Sequence, residues 1–265
     1  MPDIDLTGSA PARGYRTFVA IGDSFTEGLN DPGKDGRFRG WADRVAERLA
    51  TLNPEFRYAN LAIRGKLLDQ IVRDQVPAAL EMKPDLISFC GGANDLLRPG
   101  SDPDRVAKTL ARTVRELRRT GAEVLMFTGV DLRDTPVMRR LRGKFAVFYM
   151  HVRSIADLYG CRLVDLWPMQ SLRDWRAWSE DRLHMNSEGH RRVAARVLEV
   201  LGVESEDDWR TPWPPREPVD PWVRRREDIR WVREHLVPWI GRRLRGTSSG
   251  DGLDPKRPVP LPYEP

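Results

Sequence analysis

The chain has 265 residues, 40% of them hydrophobic and 31% charged, with a formal net charge of +5. That length buries one substantial core with room for an appendage. No apolar run reaches the roughly 18–20 residues that span a bilayer, and the polar, Pro/Gly-rich start lacks the apolar segment of a signal peptide, so the expected location is the cytoplasm.

Strand-like and helical stretches alternate from Phe18 onward. Phe18-Val19-Ala20-Ile21 reads as a short buried strand that ends at Gly22-Asp23-Ser24. A Gly/Asp-rich loop, Asn30 to Gly40, leads to an amphipathic helix from Trp41 to about Leu52. Arg57 to Ala62 is the second strand, and Leu67 to Val76 a helical face that Pro77 is expected to kink. Leu86 to Cys90, a continuous apolar run closed by Gly91-Gly92, reads as a buried parallel strand. Pro103 to Thr120 is helical and stops at Gly121; Glu123 to Phe127 is the fourth strand. A long helix over Pro136–Tyr159 and a fifth strand over Cys161–Leu166 follow, then a Trp-rich loop and a last helix from Ser187 to Leu201, capped by Asn186. Alternation of this kind predicts right-handed crossovers and a five-stranded parallel sheet covered by helices on both faces.

From Glu204 the composition changes. A Pro/Trp-rich linker precedes a stretch in which Trp222, Ile229, Val232, Leu236, Ile240 and Leu244 could share one apolar face, with a break or kink expected at Pro238. Between Pro221 and Arg245 stand eight arginines and three acidic residues, so the net charge of the whole chain resides in this tail. Past Gly246 the sequence reads as disordered. The expected division is a flexible segment over 1–16, a core domain over 17–204 and an extension over 205–265.

Four short stretches carry chemistry. Ser24 stands where a strand gives way to a helix, the carboxyl edge at which open α/β sheets place ligands, and unsatisfied N–H groups surround such a turn. The bland alternative is that Ser24 is only a helix N-cap. Asp181-Arg182-Leu183-His184 precedes the last helix. An imidazole there can take a hydroxyl proton, and a carboxylate three residues upstream can hold its far nitrogen; a loop histidine and a turn aspartate are the ordinary reading. Asn94, in Gly92-Ala93-Asn94-Asp95, can aim its amide at a developing oxyanion, or serve with Asp95 in a turn. Gly65, after the second strand, leaves its N–H open to a ligand. His190 reads as a packing or capping residue. Cys90 and Cys161 are expected as free thiols. Four scattered histidines form no zinc pattern, and no dinucleotide or Walker sequence is present.

In order and context these blocks resemble the SGNH hydrolase superfamily, also called the GDSL esterase/lipase family. Gly22-Asp23-Ser24 is similar to its first block, Asn60 to Gly65 to its second, Gly92-x-Asn94-Asp95 to its third and Asp181-x-x-His184 to its last. The resemblance covers about residues 17 to 202. It implies a three-layer α/β/α sandwich of flavodoxin-like type, to which the helical C-terminal extension is added. It also implies a Ser24–His184–Asp181 triad, with the N–H of Ser24, the N–H of Gly65 and the Asn94 amide as oxyanion donors, and needs neither metal nor organic cofactor. The expected reaction is hydrolysis of a carboxylic ester through an acyl-enzyme. Lipid, thioester and acetylated-sugar substrates all fit the family, and a small cytoplasmic acyl or acetyl ester is preferred. Two residues depart from the pattern: Phe25 replaces the usual leucine, and Arg64 stands where many relatives have a small residue, with solvent as its expected environment. The competing reading is an interaction protein whose basic, Trp-rich tail meets a membrane surface or nucleic acid. The tail's mixed charges favour packing on the body or on a second copy of the chain, so no nucleic-acid partner is expected and a homo-oligomer through the extension is the partner considered.

Overall fold

A strand buried on both faces must be apolar at every position, and β1 (Thr17–Gly22) meets that demand: Phe18 and Ala20 face one layer, Val19 and Ile21 the other. The computed structural model describes residues 14–33, 36–135, 137–217 and 220–263; most of the segment expected to be flexible at the amino terminus lies outside them. After β1 come α1 (Ser24–Glu27), α2 (Gly40–Leu52), β2 (Arg57–Asn60), α3 (Leu68–Asp74) and α4 (Val76–Glu81). Then follow β3 (Leu86–Cys90), α5 (Ala93–Leu96), α6 (Pro103–Arg119), β4 (Glu123–Phe127), α7 (Arg142–Leu158), β5 (Arg162–Val164) and α8 (Ser187–Leu201).

These five strands are parallel. Trp41, Val45 and Leu49 of α2 pack with Val193, Val197 and Leu201 of α8 on one face. Ile71 of α3, Leu110 and Val114 of α6 and Phe148 and Val152 of α7 cover the other, giving the expected three layers. Strand order is β5-β4-β3-β1-β2, then a sixth strand. The chain steps from β1 to one side and resumes on the other with β3, so the crevice for a ligand lies beyond the carboxyl ends of β1 and β3. Ser24 and Asn94 follow those two strands directly. Among the described residues no helix is long and apolar enough to cross a membrane.

The extension differs from expectation in two places. α9 (Pro221–Trp231) runs into α10 (Val237–Leu244) without a break at Pro238. The preceding turn, Val232–Leu236, widens to a π-helix in which the Val237 N–H donates to Val232 O, and the wider turn takes up the ring and the missing donor of Pro238. The stretch past Gly246, expected to be disordered, returns to the body and ends in β6 (Arg257–Pro262), an antiparallel edge strand on β2. Prolines at alternate positions of β6 lack donors on one side of the strand only, an arrangement an edge tolerates. Lys256 anchors it. Its Nζ donates to the carbonyls of Glu27 (2.6 Å), Phe38 (2.8 Å) and Arg39 (2.9 Å) and pairs with the buried Asp43.

The rest of the tail also lies on the body. Trp213 Nε1 donates to Ser171 O at 2.7 Å, and the Arg192 guanidinium stacks 4.4 Å from the Trp213 ring centroid. Arg182 pairs with Asp228 at 2.6 Å, and Trp231 Nε1 donates to Asp181 O at 2.8 Å.

Candidate active site

The turn after β1 is tightly constrained. Gly22 has φ +157°, and a Cβ there would meet both Cys90 O and Thr26 Oγ1 at 2.6 Å, so no other residue fits. The N-cap of α1 is Asp23, whose carboxylate accepts the Phe25 N–H at 3.1 Å. Ser24 is therefore not the cap. It is the first residue of the helix, with its hydroxyl available for other contacts.

Those contacts come from the loop before α8. His184 Nε2 lies 3.1 Å from Ser24 Oγ, and His184 Nδ1 lies 2.6 Å from Asp181 Oδ2. Asp181 is held on every side: Oδ1 accepts the N–H groups of Leu183 and His184 and the Ser179 hydroxyl, at 2.8–2.9 Å, and Oδ2 also accepts from Asn30 Nδ2 at 2.9 Å. Burial alone would raise the Asp181 pKa. The hydrogen bond and charge of His184, joined by the two backbone N–H groups, outweigh it and hold the carboxyl well below the usual carboxylate range. An ionised carboxylate only accepts, so Nδ1 carries a proton, and in the neutral imidazole Nε2 presents its lone pair to the serine hydroxyl.

Asn30 is the residue that sequence reasoning passed over. It sits at φ +72°, a left-handed conformation that asparagine tolerates better than most residues. Its neighbour Asp31 is fully buried and fixed by Arg44 (2.9 Å), the Ser187 hydroxyl (2.6 Å) and the Gly40 N–H (3.1 Å). The loop is thus pinned to both α2 and α8, and Asn30 is carried to Asp181. Its only local trace in the sequence is an asparagine at a turn.

The other two predicted residues arrive from neighbouring strand ends. Asn94 Nδ2 donates to Asp23 Oδ2 and to Lys66 O, each at 3.1 Å, which fixes the amide beside Ser24. Asp95 turns away and accepts the Leu68 N–H at 2.9 Å, tying this loop to the start of α3. Gly65 has φ +75°, and a Cβ there would stand 1.9 Å from Ser248 Oγ of the tail. Ser24, Gly65, Asn94 and His184 line one small polar cavity. Arg64 does not face solvent as expected: its side chain pairs with the buried Glu27 and lies 4.9 Å from the Phe38 ring centroid, while its N–H also donates to Glu27. A buried carboxylate nearby outcompetes water for this guanidinium.

On the opposite side Ser24 borders an apolar cleft of about 190 Å³, walled by Leu29, Phe127, Val130, Phe145, Tyr149 and Trp178. Cys90 also reaches it, but burial, reinforced by the charge of Asp23, raises its pKa and keeps it a thiol. His190 is buried behind the site. Its Nδ1 accepts the Trp41 N–H at 3.2 Å, and desolvation lowers its pKa to about 3, so it is a neutral packing residue.

Comparisons with known proteins agree with this architecture. Residues 20–192 match the model of the GDSL-like Lipase/Acylhydrolase family. Esterase TesA of Pseudomonas aeruginosa is 34% identical over 128 residues, which is 48% of this chain and 59% of that protein's length. A crystal structure of a protein named TesA superposes with a TM-score of 0.57 at 25% identity, over 70% of this chain and 97% of that one. Axe2, an acetylxylan esterase from Geobacillus stearothermophilus, reaches a TM-score of 0.61 at 21% identity, covering 74% of this chain and 97% of its own, and so shares the fold. A family match over residues 20–192, on this fold, places the chain in the GDSL-like lipase/acylhydrolase family.

Proposed function

We propose that the protein is a serine esterase that cleaves carboxylic esters through an acyl-enzyme. The reading rests chiefly on the hydrogen-bonded series Ser24 Oγ–His184 Nε2 (3.1 Å) and His184 Nδ1–Asp181 Oδ2 (2.6 Å). Ser24 attacks the acyl carbon as His184 takes its proton, and Asp181 keeps the ring oriented and stabilises the imidazolium. The N–H groups of Ser24 and Gly65 receive the developing oxyanion, joined by the Asn94 amide as one of its two N–H groups leaves Asp23 or Lys66 O. His184 then protonates the leaving alcohol, and water attacks the acyl-enzyme by the reverse roles. No metal or organic cofactor enters these steps.

The apolar cleft favours an apolar acyl group, since water released from its aromatic and aliphatic walls contributes about 25 cal/mol per Å² of apolar surface covered. Its volume of about 190 Å³ suits a short to medium acyl group, not a long chain lying wholly inside. A soluble ester of such an acid, met in the cytoplasm, is the substrate class proposed.

The test is hydrolysis of p-nitrophenyl esters from acetate to dodecanoate by the wild type and by Ser24→Ala. Turnover that peaks at intermediate length and disappears in the variant is the expected result. Activity retained by Ser24→Ala would overturn the mechanism.

A further inference from the structure

Ser24 lies between two cavities of opposite character. The apolar cleft is built wholly by the body. The polar one, about 70 Å³, is closed by the tail, which contributes Trp239, Arg242, Thr247, Ser248 and Ser249 opposite Gly65, Asn94 and His184. Two guanidiniums, those of Arg98 and Arg242, line it. Among the described residues neither the Arg98 nor the Arg242 side chain makes a hydrogen bond or an ion pair, and Arg98 Nε is buried from solvent with nothing to donate to. Two other arginines beside the site are neutralised, Arg64 by Glu27 and Arg182 by Asp228. Asp95 feels the charge of Arg98, but its carboxylate accepts the Leu68 N–H and makes no hydrogen bond with the guanidinium. A buried donor left unsatisfied is costly, more so on a charged group, so Arg98 Nε, with the Arg242 guanidinium on the same cavity, marks a place where an anion binds.

We propose that the tail completes a leaving-group subsite in which Arg98 and Arg242 bind an anionic group, a carboxylate or a phosphate, on the alcohol portion of the ester. Direction follows from the apolar cleft, which suits the acyl group. His184 lines all three cavities, so a leaving oxygen next to Nε2 can extend to the tail side, and Arg242 and Trp239 line both tail-walled cavities but none of the apolar cleft. The acyl group occupies the apolar side and the anionic alcohol the tail side. Ser248 fits this arrangement: its hydroxyl donates to Arg64 O at 3.2 Å, holding the tail segment against the loop that presents Gly65. The tail is thereby a specificity element for the reaction. This inference rests on the esterase reading.

Three esters of one acid serve as probes: phenyl hexanoate, 4-(hexanoyloxy)benzoate and 4-(hexanoyloxy)phenyl phosphate. Each is assayed with the wild type, Arg242→Met, Arg242→Lys and Arg98→Met. Comparing variants on the same ester cancels differences in leaving-group reactivity. Both methionine variants are expected to lower kcat/KM for at least one anionic ester by about 10- to 100-fold, the range of a lost charge-assisted hydrogen bond. Phenyl hexanoate should stay within twofold, which also shows that the variants are folded. Arg242→Lys should recover part of the loss. A larger effect on the benzoate identifies a carboxylate as the resident anion, and on the phosphate ester a phosphate. Equal losses on all three esters, or none on the anionic pair, would overturn the subsite while leaving the esterase intact; no Ser24-dependent turnover of any ester would instead remove the esterase reading beneath it.

Discussion

Replacing Asp181 by asparagine isolates what the carboxylate does for His184. Five hydrogen bonds converge on Asp181. The asparagine carbonyl can keep the three that reach Oδ1, from the N–H groups of Leu183 and His184 and from Ser179 Oγ. Its amide nitrogen then stands where Oδ2 was, facing the amide donor of Asn30 and the protonated Nδ1 of His184. Donor meets donor at 2.6 Å. The conflict is relieved when the imidazole moves its proton to Nε2 and accepts through Nδ1. Nε2–H cannot take the proton of Ser24, and the imidazolium loses its counter-charge. The same exchange in a serine-protease triad lowers kcat by about 10⁴, equivalent to about 5.5 kcal/mol of transition-state stabilisation at 1.36 kcal/mol per decade. Backbone anchoring of the loop is preserved, so KM and melting temperature should change little. Steady-state hydrolysis of p-nitrophenyl butyrate, with a thermal melt as control, measures this. A loss smaller than tenfold with an unchanged melt would show that the tautomer argument is wrong for this site.

Asn94→Ala should lower kcat by about 10²–10³-fold with a much smaller change in KM, as expected for an oxyanion donor; an unchanged kcat would leave Asn94 with only its structural bonds to Asp23 and Lys66. Lys256→Met tests the anchor of the edge strand. Removing one partner of a buried pair leaves Asp43 uncompensated, at a cost of about 3–5 kcal/mol by denaturant unfolding at pH 8. Burial lifts Asp43 to about 6, above the ordinary carboxylate value of 3.8. The folded state therefore keeps a proton that the unfolded chain releases between pH 4 and 6, and this residue's contribution to stability falls as pH rises through that window. The penalty of Lys256→Met should accordingly shrink at pH 5, where Asp43 is protonated. A penalty that is the same at pH 5 and pH 8 would contradict the assignment.

The residues of the candidate site were legible because each occupies a place with a local signature. Ser24 and Asn94 directly follow apolar runs that could only be buried strands, Gly65 follows shortly after another, and Asp181 and His184 precede a capped helix. A parallel sheet collects the carboxyl ends of its strands on one edge, so residues far apart in the chain meet without any further information. Asn30 had no such signature. Its role depends on the burial of Asp31 against α2 and α8, a contact between segments more than a hundred residues apart. Arg64 was misplaced for the same reason, since nothing local announces that Glu27 is buried beside it.

The tail shows the boundary most clearly. Hydrophobic periodicity specified the three layers and the strand ends, because burying an apolar face is a local requirement that each element declares in its own pattern. The return of the chain past Gly246 is not declared in this way. Arg257–Pro262 is a proline-rich stretch with no core-facing run, and it becomes a strand because β2 offers an unpaired edge and Lys256 finds three carbonyls and Asp43 to bind. Only folding brings Ser248 to Gly65 and leaves Arg98 and Arg242 facing one cavity. The apolar pattern along the chain thus determined the five parallel strands and which residues stand at their carboxyl ends, because burial is declared locally, while through-space pairing of charges and donors decided what encloses that edge.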